Sequence, residues 1–447
     1  MTRTLLEGGW IVTMDDAGTE HPDGWVLLAD GAIEAVGSGP PPAADEVHDL
    51  AGGVVTPGLV NVHHHLCQTL TRARAQDSSL FAWFDQLLPI WKRLDAEAEY
   101  AAARTGLAEL ALSGCSTVFD HHYLFPPGGD GIIEAEVAAA LELGMRIVAG
   151  RGSMDFSESQ GGVVPDDIAE DRDHILADTE RLISLHEAGP GAMVQIAVAP
   201  EGVGSATAGL ISDSIELARK HGLRLHTHLA ENDEEELYSV ETFGRRPADH
   251  LADLGFFGDD AWCAHCVRVD EGDVARLAAS GTGVAHCPTS NLRLGCGIAP
   301  VRTMLDHDVA VGLGVDGTGS NERGDLLYET KQALLVARAG GNPAAMSCRQ
   351  ALRLATRGGA KVLGRDELGS LEAGKSADLA VWRTDGLELG GADDLVAGLV
   401  LSAPHRVHRL YVGGELVVDG GSLVRADEQV IAREHRVQAR RFSERLP

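Results

Sequence analysis

Between residues 58 and 315, eight short runs of β-forming, mostly apolar residues alternate with longer Ala- and Leu-rich stretches, and this rhythm constrains the chain more than any other feature. The runs are 58–63, 116–120, 146–150, 194–199, 224–228, 261–265, 283–287 and 309–315. Stretches between them, such as AEAEYAAARTGLAELALSG and SDSIELARKHG, carry helical periodicity and end in Gly. Strands that alternate with helices pair in parallel, because each crossover returns the chain to the same end of the sheet. Eight such units over roughly 300 residues predict an α/β fold, a (β/α)8 TIM barrel, whose active site lies at the C-terminal ends of its strands.

The flanks read differently. Residues 1–56 contain WVLLADGAIEAVG, two apolar runs about Asp30-Gly31, and residues 366–447 contain LYVGGELVV about Gly413-Gly414. Both are hairpin signals. They predict a small β-sandwich assembled from both chain ends, with the barrel at 57–365 between them and a surface helix over the Arg- and Glu-rich stretch 427–447. The 67 acidic residues against 37 basic give a net charge of −30, which speaks against a nucleic-acid backbone or an anionic membrane as partner. The N-terminus has neither the shape of a signal peptide nor of a membrane span, and the seven scattered cysteines read as free thiols of a cytoplasmic protein. Cys263 and Cys266 form a CxxC with no second pair.

Four segments place metal-compatible side chains at the ends of expected strands. In PGLVNVHHH, strand alternation points His63 and His65 one way and His64 the other. Two imidazoles so spaced can grip one ion, although packed or surface histidines have the same spacing. In RLHTHLAE, His226 and His228 share a face and Glu231 follows, so a ligand and a base stand together, or else a buried histidine with a solvated acid. His265 ends the sixth run, and Asp316 follows the apolar eighth run, where it is either a partnered carboxylate or a helix N-cap. Jointly, the first, fifth, sixth and eighth strands deliver such groups to one rim. His121 and His122 could reach that rim or simply pack. Phe81, Trp83, Phe84 and Trp91 cluster in a chain only 4% aromatic, as helical core, a dimer contact or a wall beside a substrate.

PGLVNVHHH, HTHLAE, AHC and GVDG, with LGSLEAGKSADLAVW near the C-terminus, together resemble the amidohydrolase superfamily in its mononuclear aminohydrolase branch. Binuclear members bridge two metals with a modified Lys on the fourth strand, and no Lys occurs from 189 to 219 here. The resemblance implies one divalent ion, Zn2+ with Fe2+ or Mn2+ as alternatives, held by His63, His65, His228 and Asp316. It further implies catalytic roles for Glu231, His265 and Asp316, a small heterocyclic substrate and a homo-oligomer.

Within the branch, HHHLCQTLTRA, DHHYLFP, RGSMDFSESQGGVVPD and HCPTSNLRLGCGIAPV are similar to segments of 8-oxoguanine deaminases. The s-triazine hydrolases share several of these, but carry Thr where Asp316 stands. Gln68 matches a Gln that oxopurine deaminases direct at a substrate carbonyl, with a surface amide as its plainer role. The stretch APEGVG after the fourth strand departs from the Cys-Ser-Pro-Phe of the 8-oxoguanine enzymes. The expected activity is hydrolytic deamination of 8-oxoguanine to urate and ammonia. Triazine hydrolysis, deamination of another purine, pterin or pyrimidine, and a purine-binding sensor without turnover are the alternatives.

Overall fold

The computed structural model describes residues 2–127, 130–186, 189–402 and 406–444. The chain begins with five strands, β1 (Arg3–Val12), β2 (Glu20–Ala29), β3 (Ala32–Ser38), β4 (Glu46–Asp49) and β5 (Val54–Pro57). Asp30 and Gly31 join β2 to β3, both with positive φ (52° and 76°), the handedness that a two-residue turn needs to follow the twist of its strands.

Eight parallel strands follow: β6 (Leu59–Asn61), β7 (Cys115–His122), β8 (Arg146–Ser153), β9 (Val194–Pro200), β10 (Leu225–Leu229), β11 (Ala261–His265), β12 (Gly283–His286) and β13 (Val311–Leu313). They close into a barrel in chain order, with β13 pairing back onto β6 at Leu313 and Asn61. Each of the eight expected runs overlaps one of these strands. The helices between them have conventional ends. In the helix Ala208–His221, the Thr207 side chain accepts from Leu210 N, Arg219 and Lys220 lie in the last turn, and Gly222 at φ 64° terminates it.

The chain then returns through β14 (Leu379–Trp382), β15 (Arg409–Val412), β16 (Glu415–Asp419) and β17 (Ser422–Leu423). β14 runs antiparallel to β5, so both chain ends share one nine-stranded sheet. Leu6, Val26 and Ile33 from the first strands pack in one cluster with Leu379, Val381 and Tyr411 from the last. The predicted terminal helix is present as Glu428–Glu444, with residues 445–447 outside the described part. It is not a free surface element: Gln438 donates to Glu97, Arg104 pairs with Glu434 and Phe442 is buried.

Inside the barrel, Val60, Val62, Phe119, Trp262, Ala264 and Ala285 form an apolar plug. The Trp262 indole N–H donates to Val62 O at 3.1 Å. Side chains above this plug, at the C-terminal strand ends, are the polar ones. Among the described residues no helix is long and apolar enough to cross a membrane.

Candidate active site

His63 and His65 leave the end of β6 on the side facing the barrel axis, while His64 points outward towards Asp120. β10 brings His228 to the same place, with its Nε2 3.3 Å from His65 Nε2. Asp316, beyond β13, completes the group, its Oδ1 lying 3.5 Å from His63 Nε2 and 3.4 Å from His65 Nε2. His265 ends β11 with Nε2 3.9 Å from Asp316 Oδ2 and 3.7 Å from Glu231 Oε2. His63, His65, His228, Glu231, His265 and Asp316 therefore meet above the Phe119–Trp262 floor.

The hydrogen bonds behind each imidazole decide which nitrogen faces the centre. A carbonyl oxygen only accepts, so His65 Nδ1–H donates to His121 O at 2.7 Å and His228 Nδ1–H to Glu201 O at 2.7 Å. Both rings are left with an Nε2 lone pair pointing inward. For His63 the same result passes through a second ring. His226 Nδ1–H donates to Trp262 O at 3.1 Å, so its Nε2 accepts from His63 Nδ1–H at 3.0 Å. Burial, which outweighs the pull of Asp316, lowers the His63 pKa to about 3 and keeps the ring neutral. His63 Nε2 is buried with no hydrogen-bond partner. Imidazole lone pairs turned towards a carboxylate are the donor set of a divalent metal; His63 with His121 and His228, and His63 with His265 and Asp316, lie close enough to hold one, and His65 Nε2 stands 3.4 Å from Asp316.

Burial, reinforced by the nearby Asp316, pushes the Glu231 carboxyl up to about 8. Burial also opposes ionisation of Asp316, but His63, His265 and His65 around it hold its carboxyl well below the usual range. Gly317 N donates to Asp316 Oδ1 at 2.6 Å. Two acids of one site are thus set apart, one keeping its proton and one losing it.

Gln68 lies in the short turn Leu66–Thr71, 1% exposed, which excludes a surface role. Its Oε1 accepts from Gly319 N and its Nε2 donates to the Tyr123 hydroxyl. The room for Gln68 depends on glycine, because a Cβ on Gly317 would stand 2.0 Å from Gln68 Oε1. Gln68, Tyr123, Trp83, Phe84, Leu294 and Glu201 surround a cavity over the histidines. Of the aromatic cluster, Trp83 and Phe84 form cavity wall, and Trp91 is buried beneath them with its N–H on Thr71.

His121 and His122 separate. His121 enters the barrel, donates through Nε2 to Ala199 O and stacks on His228, whereas His122 leaves on the outer face and does not reach the rim. Sequence reasoning missed Glu201, which stands in APEGVG with Oε1 3.4 Å from His228 Nδ1, and left His226 without a role. Cys263 and Cys266 are free and buried.

Comparison with known proteins gives the chain its relatives. The chain is 42% identical over 422 residues to 8-oxoguanine deaminase of Pseudomonas aeruginosa strain PAO1, covering 93% of this chain and 94% of that one. It is 35% identical over 440 residues to an isoxanthopterin deaminase of an unknown prokaryote, covering 93% and 90%. Its fold superposes on the zinc-complexed atrazine chlorohydrolase of Arthrobacter aurescens TC1 with a TM-score of 0.94 at 33% identity, covering 98% and 100% of the two chains. The profile of the amidohydrolase family matches residues 54–417, and this chain belongs to that family.

Proposed function

We propose that the protein is a zinc-dependent hydrolytic deaminase whose substrate is 8-oxoguanine. The observation that carries the reading is Glu231: a buried, proton-holding carboxyl beside His265 and Asp316, over three imidazoles with inward lone pairs. When bound, a divalent cation supplies hydroxide at neutral pH by lowering the pKa of water to about 7. Fe2+ and Mn2+ suit the same nitrogen and oxygen donors.

The residues perform the rest. His63, His65, His228 and Asp316 hold the ion. Asp316 and His265 take the proton given up by the attacking water, which adds to the ring carbon bearing the exocyclic amine. Glu231 delivers a proton to the adjacent ring nitrogen as electrons move onto it. Asp316 then passes the proton taken from water to the amino group, which leaves as ammonia, while the new hydroxyl gives its proton back to Glu231 and becomes the ring carbonyl. Trp83, Phe84 and Leu294 suit a flat neutral ring, and the Gln68 amide suits a ring carbonyl. The 8-oxoguanine deaminase of P. aeruginosa supports this ring over others.

Similarity to atrazine chlorohydrolase makes s-triazine hydrolysis the second reading. The test is ammonia release by the zinc-loaded protein from 8-oxoguanine, guanine, isocytosine, isoxanthopterin and amino-s-triazines, with chloride release from chlorotriazines alongside. Turnover of 8-oxoguanine well above the others is expected. Silence on 8-oxoguanine with activity on another ring would move the substrate, and silence on every ring would remove the deaminase reading.

A further inference from the structure

On the outer side of the barrel wall lies a second set of buried donors that deamination does not use. Asp120 and His122 alternate with His121 along β7 and so point away from the axis, under the helices Ala96–Leu112 and Ile132–Leu143. Those helices contribute Glu99 and Glu136, and the turn Leu66–Thr71 contributes Cys67. None of the five is more than 2% exposed. Ligand atoms of Cys67, Glu99 and His122 lie within 4.8 Å of one another, as do those of Asp120, His122 and Glu136.

These groups have few partners. His122 donates through Nε2 to Leu124 O at 2.9 Å, which leaves the lone pair on Nδ1, an atom with no hydrogen bond. Both oxygens of Glu99, both of Glu136 and Oδ2 of Asp120 also have none. The nearest ion-pair contact of Glu99 is His122 Nδ1 at 3.7 Å, and among the described residues no Lys or Arg pairs with any of the three acids. Burial pushes all three carboxyls well above their usual range, and repulsion from Asp120 adds to this at Glu99 and Glu136. Three carboxyls collected in a closed pocket without a protein cation require a positive charge or protons of their own.

We propose that Cys67, Glu99, Asp120, His122 and Glu136 form a second, structural site for a divalent cation, with Zn2+ as its ion. Mixed sulfur, nitrogen and oxygen donors in a closed pocket suit zinc rather than magnesium or calcium, which take oxygen alone. In a tetrahedral site with bonds of about 2.0–2.3 Å, ligand atoms stand roughly 3.3–3.8 Å apart, so atoms that lie within 4.8 Å of one another need to close in only slightly around an ion. His122 belongs to both triplets and is the natural centre of the set. The site would tie two helices to the turn that follows His65. Asp120 already holds that turn, since its Oδ1 accepts from Leu66 N at 2.6 Å.

The inference does not depend on the proposed reaction, and its test reads sulfur rather than turnover. None of the residues assigned to the catalytic ion is a cysteine, so zinc held there has no sulfur neighbour. X-ray absorption of the zinc-loaded wild-type chain is expected to show a zinc–sulfur distance near 2.3 Å, with elemental analysis giving two ions per chain. C67S should lose the sulfur contribution. A single ion with a sulfur neighbour lost in C67S would still support this site and would count against the catalytic one instead. No sulfur contribution in the wild type, or one that persists in C67S, would overturn the proposal and leave water-bridged, protonated acids in its place. The wild-type spectrum decides the matter even if C67S does not fold.

Discussion

At Glu231 the local chemistry follows from what surrounds one carboxyl: burial and Asp316 raise it to about 8, while Cys296 Sγ lies 3.7 Å from Oε1. At neutral pH it therefore retains the proton that the ring nitrogen needs. E231Q keeps the shape and removes the transferable proton, so kcat is expected to fall by about 10²–10⁴-fold while calorimetry still detects binding of the heterocycle. Unchanged turnover in E231Q would remove Glu231 from the reaction. The sign of the pH dependence follows from the same group. Its protonated form is the active one, so kcat/KM declines as pH rises through its pKa, and a bound cation nearby favours the carboxylate and moves that decline downward. The alkaline limb should thus lie at or below about pH 8 and shift or vanish in E231Q. A profile that stays flat well beyond that pH in the wild type would sink the role of proton donor.

The strands and their ends carry most of what was readable beforehand. Runs of apolar residues with side-chain period two located all eight barrel strands and turned His226 and His228 inward, whereas His63 and His65 face the centre because β6 ends at Asn61 and the alternation set by the interior Val60 and Val62 is not continued. The rest depended on contacts between elements. The role of His226 requires Trp262 O, which lies on the neighbouring strand and 36 residues away in sequence. Glu201 was hidden because a Pro- and Gly-flanked acid after a strand looks like an ordinary turn. The choice between rim and packing for His122 stayed open because β7 continues to His122, past the expected end at Asp120, and the alternation was not carried that far. Backbone strain was equally invisible: His265 and Asp316 have φ of 68° and 63°, a conformation that side chains disfavour by about 1–3 kcal/mol and that functional sites tolerate. The relay across β10 and β6 makes its own prediction. H226A removes the acceptor for His63 Nδ1–H and should weaken zinc affinity by about 10–100-fold in competition with a chelator. Unaltered affinity would reduce His226 to packing.

For the molecule as a whole, the contact between barrel and sheet combines a shared apolar cluster with a buried ion pair. Arg146, at the start of β8, meets Asp378 at 3.0 Å and also donates to Gly191 O and Ala192 O, while Asp378 accepts from Gly413 N. R146A would leave the Asp378 carboxylate buried without its partner, at an expected cost of about 3–5 kcal/mol. R383A breaks a pair with Asp385 whose side chains are 61% and 63% exposed, where solvent screens the attraction and little loss of stability is expected. Chemical denaturation of the two variants checks the contrast, and equal losses would argue against the ion pair as the joint.

The pairing of β5 with β14 also matters before the protein is finished. One edge of β5 waits for residues 379–382, which the ribosome delivers only after the entire barrel. At about 5–20 residues per second, that interval lasts roughly 16–65 s. During it the N-terminal strands present an open hydrogen-bonding edge on an emerging chain. A nascent protein of this topology is therefore a client for chaperones that shield strand edges, and a truncation anywhere before β14 leaves that edge permanently bare.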